Sequence, residues 1–94
     1  MLLLISLILF QSWQFGPPMP TPRYGFGIGV IQNKIYVIGG YNDGNILDVV
    51  EVYDPIFQYW DTTYSYLSPL PTARYDVASV VYDNKIYIIG GRIG

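Results

Sequence analysis

Apolar residues in this chain fall in short runs, which glycine, proline, asparagine and aspartate interrupt. After residue 10, no window of eleven or more positions repeats apolar residues at helical spacing, whereas short runs rich in β-branched and aromatic side chains recur. We predict strands at residues 26–31, 34–38, 49–53, 58–64, 77–82 and 85–89. The chain is therefore predicted to be all-β, with about four strands in each repeating unit.

The residues between the strands are typical of turns. Gln32-Asn33 and Asp83-Asn84 are predicted to form tight turns, and Asp54-Pro55 to form a third. The runs at residues 26–31 and 77–82 contain small or apolar residues throughout. We therefore expect both of these strands to be buried on both faces.

An internal repeat dominates the sequence. Pro20-Thr21-Pro22-Arg23-Tyr24 recurs as Pro71-Thr72-Ala73-Arg74-Tyr75, and residues 33–40 (NKIYVIGG) recur as 84–91 (NKIYIIGG). Both matches have the same offset of 51, and twelve of the twenty-one positions from 20 to 40 are identical to their counterparts. Such self-similarity indicates a tandem array of one structural unit.

A glycine pair ends the second strand of each unit, at Gly39-Gly40 and Gly90-Gly91. Glycine lacks Cβ and reaches positive φ, so a second backbone or a large ring can approach closely. Trp13 and Trp60 are the predicted rings, because each combines a large apolar body with one N–H to satisfy.

These motifs resemble the kelch repeat, in which a glycine doublet after an apolar strand precedes a tyrosine by about a dozen residues, and a tryptophan follows about six beyond it. Gly39-Gly40, Tyr53 and Trp60 follow in that order, thirteen and seven residues apart. Gly90-Gly91 begins a second copy. The resemblance implies a kelch-type β-propeller fragment of about one and a half to two four-stranded antiparallel blades.

The same resemblance divides the chain into three parts. Residues 1–15 are an apolar N-terminal segment, residues 16–66 a first kelch repeat, and residues 67–94 a truncated second repeat. One blade cannot bury its apolar faces alone, and about three stacked repeats are needed for stability. We therefore expect a fragment of a longer gene product, or a chain that assembles with further kelch blades in the same or another chain.

Residues 1–10 admit two interpretations. They are apolar at nine of ten positions, which fits the core of a signal peptide but is too short to span a membrane, and no cation precedes them. Alternatively, residues 10–13 (FQSW) match 57–60 (FQYW) at an offset of 47, which indicates the end of an upstream repeat. A signal would make the protein secreted and an anchor would attach it to a membrane; otherwise a cytoplasmic location is expected.

The composition excludes several functions. The absence of His and Cys rules out the usual zinc sites, Ser–His or Cys–His nucleophiles, and disulfides. A net charge of −2 with five scattered cations argues against nucleic-acid binding. Asp43 and Asp48 lack the dense ligand spacing of a calcium loop, so we expect no metal and no cofactor.

Binding is expected in long loops at one end of the blades, where the second–third connection and the link to the next blade meet. We predict such loops at residues 41–47 and 62–74. For residues 42–45 turn chemistry is expected first and a ligand contact only second, and for the tyrosines packing between blades is expected ahead of anchoring a partner. The candidate partner-binding residues are Tyr41, Asn42, Asp43, Asn45, Tyr64, Tyr66 and Arg92.

Arg23 and Arg74 precede the first strand of each repeat. Because a guanidinium offers five donors, we expect them to bind backbone carbonyls of neighbouring blades rather than a ligand. The predicted function is a non-catalytic protein–protein interaction module. Two alternatives remain: a secreted or surface scaffold, and an enzyme similar to the sialic-acid mutarotases, for which only Arg23, Arg74 and Asp76 are candidates. A copper site of the galactose-oxidase kind needs His and Cys, so it cannot be built from the residues of this chain.

Overall fold

The computed structural model describes residues 4–7, 12–62 and 67–94, and every regular element within those ranges is a β-strand. No helix in this part of the chain is long and apolar enough to cross a membrane. The strands are β1 (Leu4–Leu7), β2 (Ser12–Phe15), β3 (Gly27–Ile31), β4 (Lys34–Asn42), β5 (Asn45–Asp54), β6 (Tyr59–Asp61), β7 (Ala78–Tyr82) and β8 (Lys85–Ile89).

Strands β3 to β6 form one antiparallel sheet in chain order, and this four-stranded meander is the predicted blade. Strands β7 and β8 pair as the inner half of a second blade. The two units share their register at the offset of 51, since Ile31 pairs with Lys34 in the first and Tyr82 with Lys85 in the second. The all-β prediction and the blade architecture are thus confirmed.

The tight turns that join the first two strands of each unit form as predicted. Gln32 and Asn33 have φ values of 49° and 65°, and Asp83 and Asn84 have 51° and 57°. Positive φ at both central residues is the hairpin turn whose twist matches that of the flanking strands. The turn residues therefore set the register of both inner hairpins.

The predicted long loop at residues 41–47 is wrong. β4 continues to Asn42, and β5 begins at Asn45 directly opposite it. Asp43 (φ 44°) and Gly44 (φ 88°) close the hairpin in two residues, because both tolerate the left-handed conformation. The turn chemistry that was expected for residues 42–45 is therefore what forms.

The fourth strand is shorter than predicted. It covers Tyr59–Asp61 rather than residues 58–64, of which 63 and 64 lie outside the described residues. The preceding turn takes four residues, because the Asp54 carboxylate accepts hydrogen bonds from the backbone N–H groups of Ile56 (2.9 Å) and Phe57 (3.1 Å).

The two blades pack through the glycine face of β3. A Cβ placed on Gly29 would lie 2.8 Å from Val81 Cγ2 and 3.0 Å from Ile86 Cδ1, so only glycine lets these sheets approach so closely. On the other face, Ile28 and Val30 are 51% and 58% exposed. Burial on both faces was therefore wrongly predicted for β3, since β7 and β8 cover only one of them.

The segment linking the blades covers the outer strands and bonds to them. Leu67 is buried, and the backbone N–H of Leu70 donates to Asp48 O at 2.9 Å. Further along, Arg74 N donates to Leu47 O at 3.1 Å, and Gly40 N donates to Arg74 O at 2.9 Å. The link therefore fixes the second blade against the first through main-chain hydrogen bonds.

Another stretch of backbone approaches the Gly39-Gly40 pair closely, as the sequence predicted. A Cβ on Gly40, where φ is 109°, would lie 2.9 Å from the carbonyl oxygen of Tyr24. The predicted packing of an indole ring on the pair is wrong. The Trp60 ring lies 5.1 Å from that of Tyr53 and donates its N–H to Pro17 O at 3.2 Å, while Trp13 is exposed.

Candidate functional site

Arg23 is a structural centre of the first blade. Its side chain is fully buried and donates to the carbonyl oxygens of Gly39 and Val49, both at 2.9 Å, and to that of Thr21 at 3.2 Å. It also forms an ion pair with the Glu51 carboxylate at 2.5 Å. All of these acceptors belong to its own repeat, whereas the sequence predicted backbone carbonyls of neighbouring blades.

Glu51 was not identified from the sequence. Its buried carboxylate also accepts hydrogen bonds from the backbone N–H of Thr21 at 3.3 Å and from the Thr21 hydroxyl at 2.9 Å. The only sequence signal was a charged residue inside the apolar run VVEVY. A buried carboxylate requires such partners. Glu51 and Arg23 therefore join the segment that precedes β3, around Thr21, to β4 and β5.

Arg74 repeats part of this arrangement in the second unit. Its side chain donates to the carbonyl oxygens of Thr72 at 3.3 Å and Gly90 at 3.1 Å, the counterparts of the Thr21 and Gly39 bonds. The recurring arginines therefore hold the glycine pair and the link of their own repeat. This accounts for the Arg23, Gly39, Gly40, Arg74, Gly90 and Gly91 motif without a ligand.

Three tyrosines from both repeats meet at one end of the blades. The ring centroids of Tyr24 and Tyr41 lie 5.3 Å apart, and those of Tyr41 and Tyr75 lie 5.1 Å apart, with the planes tilted by 41° and 52°. Tilted pairs at these distances are favourable ring geometries. We call Tyr24, Tyr41 and Tyr75 the tyrosine cluster.

Backbone bridges place these rings. Tyr24 and Tyr41 exchange two hydrogen bonds, of 3.1 Å and 2.9 Å, where the chain enters β3 beside the end of β4. Tyr75 and Arg92 form the same bridge one repeat later, at 3.1 Å and 2.7 Å. Arg92 thus occupies the position of Tyr41, and the surface alternates between an aromatic and a cationic residue.

Polar groups surround the tyrosine cluster. The Asn42 side-chain amide donates to the carbonyl oxygen of Pro22, and Arg92 Nε lies 3.6 Å from an Asp76 carboxylate oxygen. A depression of about 290 Å³ opens beside the rings. Its lining residues are Pro22, Arg23, Tyr24, Tyr41, Asn42 and Asp43.

The electrostatic environment acts on Tyr24. Its pKa is raised above 10.0, first because the packed rings remove water from the phenol, and then because ionised Tyr41, Tyr75 and Asp76 would repel its negative charge. Tyr24 is 57% exposed, so solvent screens this effect. At neutral pH the hydroxyl is therefore a neutral donor and acceptor.

The structure brings together five of the predicted binding residues. Tyr41, Asn42, Asp43 and Arg92 lie at this end of the blades, and Asn45 pairs with Asn42 in the turn. The predicted Tyr64 and Tyr66 lie outside the described residues.

Tyr24, Tyr75 and Asp76 are the members of this surface that sequence reasoning did not assign to it. The signal available was the tyrosine that follows the recurring arginine in both repeats. No three acidic, His or Cys side chains in the described ranges are grouped to hold a metal.

Comparison with known proteins identifies the repeat. The kelch motif matches residues 22–62 and 73–94, well over half of the chain. The chain belongs to the kelch family. The structure gives each residue of the family motif a physical role. Gly39 and Gly40 allow neighbouring backbone to approach closely, and Tyr53 packs against Trp60.

Among the relatives, Kelch-like protein 40b of Danio rerio is 42% identical over 85 residues, which are 87% of this chain and 13% of that protein. A putative F-box/kelch-repeat protein of Arabidopsis thaliana is 42% identical over 82 residues, 86% of this chain and 21% of that protein. Human Kelch-like protein 40 is 37% identical over 87 residues, with coverages of 89% and 13%.

The solved structure of YjhT superposes with a TM-score of 0.76 at 23% identity, covering 85% of this kelch chain and 24% of that chain. At this identity the likeness concerns the fold alone. The kelch chain therefore spans about a fifth or less of each of these curated relatives, and about a quarter of this structural neighbour.

Proposed function

We propose that this kelch chain serves as a protein–protein interaction module, and that it binds its partner through the end of the blades that carries the tyrosine cluster. The observation that carries the proposal is the convergence of three tyrosines from two adjacent repeats beside exposed polar groups. Tyrosines offer wide contact area at low cost in conformational entropy, which is why they are enriched at protein interfaces. The kelch-like and F-box/kelch relatives support a protein-binding role of this general kind.

The surface around the tyrosine cluster has packed aromatic rings at its centre and polar residues at its rim, as binding sites commonly have. Tyr41 lies between the other two rings, while Asp43, Asp76 and Arg92 are exposed around them. A partner would bury the rings and pair with the rim charges, a division of roles that protein interfaces commonly show.

The carbohydrate-enzyme alternative finds less support in the site. Arg23 is committed to Glu51 and to three carbonyl groups inside the blade, and Asp76 is paired with Arg92. The arginine nominated for substrate binding is thus part of the scaffold. We therefore propose a non-catalytic role.

The test compares two tyrosines at opposite ends of the blade. Tyr41→Ala removes the central ring of the cluster, whereas Tyr59→Ala removes an exposed tyrosine at the start of β6 and is the matched control. Proteins captured by the wild-type chain are identified by mass spectrometry, and one of them is then purified for titration against each variant.

We expect Tyr41→Ala to weaken that binding by about 2 kcal/mol, roughly thirtyfold, as for an interface hot spot. Tyr59→Ala should leave the affinity within about twofold of wild type, since it lies away from the surface. Circular dichroism confirms that both variants are folded. Equal affinities for wild type and Tyr41→Ala would refute the role of the cluster.

A further inference from the structure

The depression beside the tyrosine cluster has the size of a site for one side chain. Its volume is about 290 Å³, at the lower limit of the range for small-molecule sites, and it opens to solvent. All of its lining residues belong to the complete blade. Tyr24 is more than half exposed beside it, and Asp43 is exposed where β4 turns into β5. A side chain of a partner can therefore reach both a ring and a carboxylate here.

The charge presented by the depression is negative. Of its lining residues Arg23 alone is cationic, and the Arg23 side chain is 0% exposed and paired with Glu51. Asp43, in contrast, forms no ion pair within residues 12–62 and 67–94. An entering cation thus meets an uncompensated carboxylate and no exposed positive charge among the lining residues.

The other cations of the chain do not compete for the depression. Arg92 lies at the same end of the blades but is outside the lining, with its Nε 3.6 Å from an Asp76 carboxylate oxygen. Arg74 donates to two carbonyl groups of its own repeat. Lys34 and Lys85 begin β4 and β8 and therefore lie at the opposite end. Asp43 is thus available to a cation from outside the chain.

The tyrosine rings provide a second attraction for a cation. The face of an aromatic ring is electron-rich, and it attracts a cation that lies within about 6 Å of the ring centroid. Tyr24 is held by its contact with Tyr41, at 5.3 Å between centroids, and by the backbone bridge between the same two residues. Its position is therefore set before a partner arrives, which lowers the entropic cost of stacking on it.

The environment of Tyr24 disfavours negative charge and so favours a cation over its ring. Its pKa is raised, first because water is removed from the phenol and then because ionised Tyr41, Tyr75 and Asp76 would repel a phenolate. The same groups repel an anionic ligand. The depression thus selects by charge as well as by size.

We propose that the partner inserts an arginine side chain into this depression, where the guanidinium stacks on the Tyr24 ring and donates to the Asp43 carboxylate. This inference rests on the proposed function and names the chemistry of the partner, a basic segment of another protein. Arginine fits better than lysine, because a planar guanidinium stacks on a ring and donates bidentately to a carboxylate. The Asn42 side-chain nitrogen donates to Pro22 O, which leaves the Asn42 amide oxygen as a further acceptor.

Blocked peptides with one central residue between glycines test the charge and shape of the ligand. The probe carries arginine, and its matched control carries citrulline, which keeps the planar end but loses the positive charge. Shifts of the tyrosine ring signals in NMR titrations give the dissociation constants. We expect about 1 mM for arginine, at least about tenfold weaker binding for citrulline, and about threefold weaker binding for lysine.

Four results of these titrations would overturn the proposal. They are the absence of any shift with the arginine peptide up to about 10 mM, equal binding of arginine and citrulline, equal binding of arginine and lysine, and tighter binding of a glutamate peptide.

Asp43→Asn tests the carboxylate, with Asp83→Asn as its matched control. Both aspartates are exposed and begin a two-residue turn, at φ values of 44° and 51° that asparagine also tolerates. Asp83, however, lies at the opposite end of the blades, in the turn between β7 and β8. Asp43→Asn should weaken binding of the arginine peptide by about fivefold and Asp83→Asn by less than about twofold. Equal effects would show that only the net charge acts.

Tyr24→Leu tests the ring, with Tyr24→Phe as its control. Phenylalanine keeps the aromatic face, so Tyr24→Phe should leave binding of the arginine peptide within about twofold of wild type. Leucine removes that face and should weaken binding by about fivefold. Circular dichroism checks that both variants are folded. Equal affinities for the two variants would rule out stacking on Tyr24.

The arginine inference and the proposed function fail in different ways. If Tyr41→Ala weakens binding of a captured partner but the chain does not distinguish arginine from citrulline, the interaction surface stands and the arginine inference is refuted. If the arginine peptide binds as expected but Tyr41→Ala leaves partner binding unchanged, the proposed function is refuted and the chemistry of the depression stands.

Discussion

Replacing Arg23 by alanine tests whether the buried ion pair holds the segment that precedes β3 against the rest of the blade. The Arg23 and Glu51 side chains are 0% and 3% exposed, and the guanidinium donates to three carbonyl groups as well as to the carboxylate. Its removal leaves the buried Glu51 carboxylate with the Thr21 donors but without its counter-charge, and takes the guanidinium donor from three carbonyl groups. Breaking one side of such a pair costs about 3–5 kcal/mol.

Urea unfolding, followed by far-UV circular dichroism at low protein concentration, measures this loss. Taking a urea dependence of about 2 kcal/mol per molar, the midpoint should fall by about 1.5 M or more, and a marginally stable chain will unfold outright. Arg74→Ala is the matched control from the second repeat. It removes two exposed hydrogen bonds to neutral carbonyls and should cost only about 1 kcal/mol.

The double variant Arg23→Met, Glu51→Met separates lost packing from stranded charge. Replacing both members of a buried pair by apolar residues is often neutral or stabilising, so we expect it to be more stable than Arg23→Ala. Equal losses for Arg23→Ala and Arg74→Ala, or a double variant as unstable as the sum of its parts, would refute the reasoning.

Two further predictions concern the backbone and the tyrosine cluster. Gly40→Ala should destabilise the fold more than Gly44→Ala in the same urea assay, because a Cβ on Gly40 would lie 2.9 Å from the Tyr24 carbonyl oxygen. A Cβ on Gly44 would meet no atom within 4 Å, so Gly44→Ala should cost only about 1–2 kcal/mol of backbone strain. Equal losses of stability for the two variants would contradict this prediction. The raised pKa of Tyr24 stabilises the folded chain below the unfolded value of 10.0, and this contribution is lost as pH rises through the folded pKa. Tyr24→Phe should therefore flatten the fall in urea midpoint above about pH 10, and an unchanged pH profile would count against the cluster's effect.

The sequence alone determined the strands and their order within a repeat. Apolar runs, turn residues with positive φ and the recurrence at an offset of 51 are all local properties, so they predicted the two inner hairpins and the four-stranded blade. The kelch motif followed from the same spacing. Residues 41–47 were one exception, because polar residues that suit a loop also suit a two-residue turn inside a longer hairpin.

Only the tertiary structure decided which side chains meet. Arg23 and Glu51 are 28 residues apart, and their pairing depends on the path of the link across β4 and β5. Tyr41 reaches Tyr75 only because one blade packs on the next through glycine. Local sequence patterns fix the backbone conformation, whereas contacts between distant residues depend on how the sheets stack. That stacking is set by the shapes of side chains on whole sheet surfaces, whose residues are spread over the sequence and are not contained in any short window.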